Sequence, residues 1–283
     1  MLPGMAYVML GRCECLQDVF ITLGKEENTA PPPIKRNKLS KQKRPIKKDF
    51  DTSKIKCSSA AKEENEALKS RSKDRQKKIN AFFEDEGVLV GFMNIRSLRL
   101  HWQDFVTDEN FKCCQLIGLC ETWLHMDEEI THFNYDTETV NVGRGQGIAT
   151  FNNIQAEVVF KFGSQTLSIV ALQFNNWLVV FMYASQGVNY NNITMQLTEV
   201  FCHATDYVMV VGDMNWDYLR QGNAMKVYFQ QNGFHQIIEN PTHEEGGLLD
   251  HVYVRAKESI VVACQRAKYY SDHDAIFIRI NKV

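Results

Sequence analysis

The stretch Val208-Met209-Val210-Val211-Gly212-Asp213-Met214-Asn215-Trp216-Asp217 decides how the rest of the chain is read. Its four leading apolar residues, three of them valine, predict a short strand buried on both faces. Gly212 closes the run, and Asp213 and Asn215 follow at its carboxyl end. A carboxylate and an amide two residues apart can both reach one small polar target there. Taken alone, the pattern equally describes a buried strand closed by an Asx-rich turn. Polar residues elsewhere in the chain decide between the two.

Working outward, a globular region is expected over 87–283. Val88–Asn94 reads as a strand ending on Asn94, a helix is expected over 101–111, and 115–122 reads as a second apolar strand ending near Glu121. A glycine-rich turn at 143–147 precedes a strand at 148–151, and further strands are expected at 157–162, 166–173 and 177–183. The helix expected at 192–204 carries Ile193, Leu197, Val200 and Phe201 on one face. A second helical stretch is read at 224–232, and strands at 251–255, 259–263 and 275–280 close the chain. Hairpin-like strand spacing with interspersed helices predicts an α+β fold, with helices covering packed, mostly antiparallel sheets.

The composition, 44% apolar and 23% charged over 283 residues, is that of a soluble globular protein. No apolar run approaches the length of a membrane span. The apolar patch at Tyr7 to Leu10 lacks a basic n-region and a cleavage site, so no secretory signal is expected. The eight cysteines form no C-x-x-C and no zinc-finger spacing, which fits reduced thiols in the cytosol or nucleus, the nucleus being the location expected. Charge is unevenly spread. Residues 33–80 hold 17 Lys and Arg against 6 Asp and Glu, whereas 81–283 hold 13 against 24. Pro31-Pro32-Pro33 and the following lysines mark 24–86 as a basic linker, largely disordered or partly helical. A basic run is most simply a solvated tail. Its functional readings are nuclear targeting and contact with a phosphate backbone through Lys35, Arg36, Lys41, Lys43, Arg44, Lys47 and Lys48.

Polar residues stand at successive strand ends: Asn94, Glu121, Tyr183, Asp213 with Asn215, Asp250, and the run Ser271-Asp272-His273. Each alone has an ordinary reading as a turn or cap. In this order the set resembles the endonuclease/exonuclease/phosphatase superfamily, the DNase I-like fold, over roughly 87–283. The phrases NIRSL (94–98), GLCETWL (118–124), GDMN (212–215), LLDHVYV (248–254) and SDHDAI (271–276) resemble retroelement- and transposon-type endonucleases. The resemblance implies a four-layer sandwich of two sheets flanked by helices.

It also implies phosphodiester cleavage, which needs a cation, an activated water and charge stabilisation on the phosphate. Convergence of Glu121, Asp213 and Asp272 would cost roughly 4 kcal/mol per pair at ~4 Å and an effective dielectric near 20, so a cation is expected among them. Oxygen ligands suit Mg²⁺ or Mn²⁺. The resemblance casts Glu121 as the main metal ligand, assisted by Asn94 and Asp272. Asp213 would deprotonate the attacking water, and Asn215 would hold water and phosphate. His273, its pKa raised by Asp250, would meet the phosphate as a charged donor, and Tyr183 would contact the phosphate and the leaving group. Gln186 is left without a role, and His251 and Asp217 are expected to be structural. DNA is the expected substrate. A small phosphate ester on the same fold, or an idle relic that only binds, are the alternatives.

Residues 4–22 resemble the arginine-motif segment of Pif-type (Helitron-like) DNA helicases. The matches are Ala6, Tyr7, Val8, Leu10 and Arg12, followed by Val19, Phe20 and Ile21. Segment 1–23 is therefore expected to be a truncated helicase tail. The chain carries no phosphate-binding G-x-x-x-x-G-K-[ST] loop, so helicase activity is not expected.

Overall fold

The computed structural model describes residues 77, 80–143, 145–256 and 261–281. The helicase-like segment 4–22 and the basic residues Lys35, Arg36, Lys41, Lys43, Arg44, Lys47 and Lys48 lie outside the described residues.

Among the described residues, twelve strands form two six-stranded sheets. In chain order they are β1 (Val88–Asn94), β2 (Leu116–Cys120), β3 (Asp136–Val140), β4 (Ile148–Asn152), β5 (Glu157–Gly163), β6 (Leu167–Phe174), β7 (Trp177–Ala184), β8 (Tyr207–Asp213), β9 (His235–Gln236), β10 (Asp250–Arg255), β11 (Val261–Arg266) and β12 (Ala275–Ile280). One sheet runs β11-β12-β1-β2-β4-β3 and the other β5-β6-β7-β8-β10-β9. Each sheet is antiparallel except for one central pair, β1 with β2 and β7 with β8. A parallel pair needs a crossover, and helices supply it. These are α1 (Leu98–Thr107) with α2 (Glu109–Lys112), and α3 (Tyr190–Phe201); a fourth helix, α4 (Ala224–Gln231), follows β8.

Alternation along the strands sorts side chains into layers. Val90, Phe92, Val179, Phe181, Met209, Val211, Val252 and Ile278 fill the space between the sheets. Leu89, Met93, Phe105, Phe111 and Phe277 pack under α1 and α2, while Val180, Val208, Val210, Ile193, Leu197 and Phe229 pack under α3 and α4. The result is helix on sheet on sheet on helix, as expected. Close sheet packing depends on Gly118, where a Cβ would stand 2.2 Å from the Phe181 ring. The packed region also reaches back before Gly87: the Phe83 ring meets Phe277 at 5.1 Å, and Asp85 pairs with Arg279 at 2.6 Å.

Local differences from the sequence reading have local causes. The helix expected over 101–111 starts earlier, because the Ser97 side chain caps it by accepting from Leu100 N–H. It also breaks at Asp108, whose extended backbone ends α1 and whose carboxylate caps α2. β3 and β9 are edge strands without an apolar alternation, and sequence reading passes over them. Among the described residues no helix is long and apolar enough to cross a membrane.

Candidate active site

The same alternation that builds the inter-sheet core carries polar residues to one end of it. Asn94 is two residues beyond Phe92 on β1, and Asp213 two beyond Val211 on β8. Tyr183 is two beyond Phe181 on β7, and Asp250 two before Val252 on β10. Register makes Asp213 the direct neighbour of both Tyr183 and Asp250. Gly212 permits this approach, since a Cβ there would lie 2.2 Å from the Met182 carbonyl oxygen.

Five of the six described non-glycine residues with positive φ sit in the turns beside these strand ends: Arg96, Ser97, Glu121, Trp123 and Asn215. Left-handed backbone at such residues costs of order 1 kcal/mol or more each and clusters at functional sites. At Glu121, with φ 50°, it interrupts the strand alternation just after Cys120. The Glu121 carboxylate then accepts a 3.0 Å hydrogen bond from the Tyr183 hydroxyl.

Asp213 is at the centre. Its Oδ2 accepts from Asn94 Nδ2 at 2.9 Å, and its Oδ1 from Asn215 N–H at 3.0 Å. Asn215 also donates to the Ala184 carbonyl at 3.0 Å, which ties the turn after β8 to the end of β7. Burial, and then the charge of Asp250, push the Asp213 carboxyl up to about 7, against the opposing pull of His273 and the Asn94 hydrogen bond.

His273 Nδ1 meets Asp250 Oδ2 at 2.8 Å, and its Nε2 lies 4.0 Å from Asp213 Oδ2. Burial opposes charge on this ring. The carboxylates of Asp250, Asp213 and Asp272 outweigh it and raise the pKa to about 10. Ser271 explains the order Ser-Asp-His: its hydroxyl donates to the Asn94 carbonyl at 2.7 Å and accepts from His273 N–H at 3.1 Å. Tyr183 is held firmly in its phenol form by burial and by Glu121.

Asp272 lies at the edge of this group. Its Oδ2 pairs with the Arg96 guanidinium and stands 3.4 Å from His243 Nε2. Sequence reading missed both partners. The His243 ring also meets the His273 ring edge-on at 4.7 Å. Thr242 is a third missed residue: its hydroxyl accepts from the N–H groups of Leu249 and Asp250, fixing the start of β10. No periodicity marks these residues, because their roles arise from contacts made across the fold. His251 points to the opposite face of β10, bonds the Trp216 carbonyl at 2.9 Å, and is driven by burial to a pKa of about 4. It lies within β10, and Asp217 accepts from Leu219 and Leu248 N–H in the turn after β8.

Among the described residues, two groups of carboxylate and imidazole atoms could hold a metal ion, Asp213 with Asp250 and His273, and His243 with Asp272 and His273. Glu121 belongs to neither. A cation still fits the donor set. Asp250 Oδ1 and Asp272 Oδ1 are buried without a hydrogen-bond partner, which is costly for a carboxylate unless a cation or other donor meets it.

Two clefts of about 680 and 670 Å³ open onto the site. The first is lined by Glu121, Tyr183 and Thr166, the second by Trp216, Arg220 and His243, and both by Asn215 and Gln186. They meet at Asn215 as one groove across the strand ends.

Strand order and layering are those of a DNase I-like α+β sandwich. The structure resembles the endonuclease domain of TRAS1, a telomere-specific non-LTR retrotransposon, at TM-score 0.53 and 13% identity, covering 69% of this chain and 99% of that one. It resembles the 3′-5′ exonuclease NExo from Neisseria meningitidis at TM-score 0.54 and 15% identity, over 69% of this chain and 100% of that one. An AP endonuclease from Archaeoglobus fulgidus gives TM-score 0.52 and 14% identity with the same coverages, 69% and 100%. No family model matches the sequence, and no curated protein matches it. The helicase resemblance of residues 4–22 gains no support from these comparisons.

Proposed function

We propose that this chain is a divalent-cation-dependent phosphodiesterase that cuts DNA, of mobile-element origin. The observation that carries the reading is the buried Asp213, fixed by Asn94 and Asn215 and facing the His273–Asp250 pair. A carboxylate whose pKa is raised to about 7, a few ångströms from an imidazole kept charged by a pKa of about 10, suits attack of water on a phosphate.

Asp213 takes the proton of the attacking water, and the Asn215 side chain orients that water and the phosphate. His273, kept charged by Asp250, binds the phosphate oxygens and steadies the charge that grows on them. Tyr183 offers its phenol proton to the phosphate or the leaving oxygen. Glu121, Asn94 and Asp272 would hold the Mg²⁺ or Mn²⁺, which supplies Lewis-acid stabilisation of the phosphate. The basic residues from Lys35 to Lys48 would add contacts with the DNA backbone, and nuclear targeting is the companion reading of that run. Purified full-length chain should nick supercoiled plasmid with Mg²⁺ and not with EDTA. His273→Ala and Asp213→Ala should each abolish nicking while the fold survives. A His273→Ala protein that nicks at the wild-type rate would overturn these roles.

A further inference from the structure

We propose that Trp123 is the base-stacking residue of this site, its indole packing on a nucleobase beside the phosphate being cut and so favouring a nucleic-acid strand over a small phosphate ester. The inference rests on the phosphodiesterase reading above.

Trp123 follows Glu121 by two residues, and both have left-handed backbone, with φ 56° and 50°. The turn that carries them is tied to the start of α1. Ser97 N–H donates to the Glu121 carbonyl at 2.8 Å, and Leu98 N–H to the Thr122 carbonyl at 2.9 Å. Thr122 and Leu124 are buried, while Trp123 between them is 53% exposed. Bulky residues rarely adopt positive φ, so a fold that holds an indole this way presents it at a cost. Gly145, at φ 90°, makes room for the ring: a Cβ there would stand 2.7 Å from the indole Nε1. The same glycine turn gives Gly143 and Gln146 to the cleft that holds Glu121, Tyr183 and Asn215. The exposed indole therefore packs on the turn that borders this cleft.

Charge points the same way. Residues 81–283 carry 13 Lys and Arg against 24 Asp and Glu, so this region repels phosphates at long range. A contact that is not ionic adds grip on a strand that this charge balance does not oppose. Stacking on an aromatic ring supplies it for any base, whereas a small ester without a base gains nothing from Trp123.

The test uses full-length wild-type chain, Trp123→Ala and Trp123→Phe with short single-stranded oligonucleotides in EDTA, read by anisotropy. A companion series of oligonucleotides lacks one base at each position in turn. Trp123→Ala is expected to weaken binding roughly 5- to 100-fold, with Trp123→Phe retaining most of the affinity. Removing one particular base should weaken the wild type by a similar factor and weaken Trp123→Ala no further. With Mg²⁺, the ratio of kcat/KM for the oligonucleotide to that for an alkyl phosphodiester without an aromatic ring should fall in Trp123→Ala by the same factor. Stacking is overturned if Trp123→Ala binds as tightly as wild type, if its ratio is unchanged, or if no single base removal weakens the wild type. That last comparison needs no variant to fold. Failure of the wild type to hydrolyse either substrate overturns the phosphodiesterase reading instead, and the binding series still decides the stacking.

Discussion

His273 Nδ1 lies 2.8 Å from Asp250 Oδ2, the ring 5% and the carboxylate 0% exposed, at the end of the space between two sheets. A histidine this buried would ordinarily shed its proton. The carboxylates of Asp250, Asp213 and Asp272 reverse that tendency and carry its pKa to about 10.

Asp250→Asn keeps the shape of this pair and removes its charge. Burial then prevails, and the His273 pKa should fall toward or below its ordinary value near 6.5. The alkaline limb of the pH–rate profile should move down accordingly, and kcat at pH 8 should drop about 10²-fold or more. In the wild type the folded pKa is raised, so the stability His273 contributes is fully present below about 6.5 and is lost as pH rises through about 10. Thermal melts of wild type and Asp250→Asn across pH 6 to 10 should show that decline only in the wild type.

Asp213 shows the opposite linkage. Folded Asp213 holds its proton up to about 7, well above the ordinary 3.8 of an aspartate, so metal-free protein should lose stability as pH rises through that window. Asp213→Asn removes the slope. In EDTA the variant should melt above wild type at pH 8, with the difference vanishing near pH 4. Its turnover should be abolished throughout.

Gly118→Ala puts a methyl into the Phe181 ring, at a Cβ distance of 2.2 Å before relaxation. Overpacking between the sheets should cost about 1–3 kcal/mol in chemical denaturation. Adding Phe181→Leu should recover part of that loss, a coupling that independent sites would not show.

Much of the site was legible because strand alternation is a local property. Phe92 and Asn94 share a face, as do Val211 and Asp213, so an apolar strand ending on a polar residue already says where that residue points. What was not legible depends on contacts between distant segments. Arg96 meets Asp272 across 176 residues, and His243 reaches Asp272 only because the turn after β9 folds beside the loop before β12. The left-handed turn at Glu121 was equally hidden, since no glycine or asparagine marks it. Edge strand β3, Asp-Thr-Glu-Thr-Val, has no apolar face to announce it.

The basic run should act on DNA affinity rather than on chemistry. Changing Lys35, Arg36, Lys41, Lys43, Arg44, Lys47 and Lys48 to Gln removes seven positive charges. If all of them meet phosphates, the slope of log K against log salt should flatten by about 6. Titrations of a duplex from 50 to 200 mM salt, roughly the range over which such contacts are lost, measure this directly.

The most direct measurement is nicking of supercoiled plasmid by full-length protein, with Mg²⁺ or EDTA, for wild type, Asp213→Ala and His273→Ala. The expected result is Mg²⁺-dependent nicking by the wild type, none in EDTA, and none by either variant while both keep the wild-type circular dichroism spectrum. Nicking that persists in EDTA, or at the wild-type rate in either variant, would contradict the assignment of this cluster as a metal-dependent phosphodiesterase site.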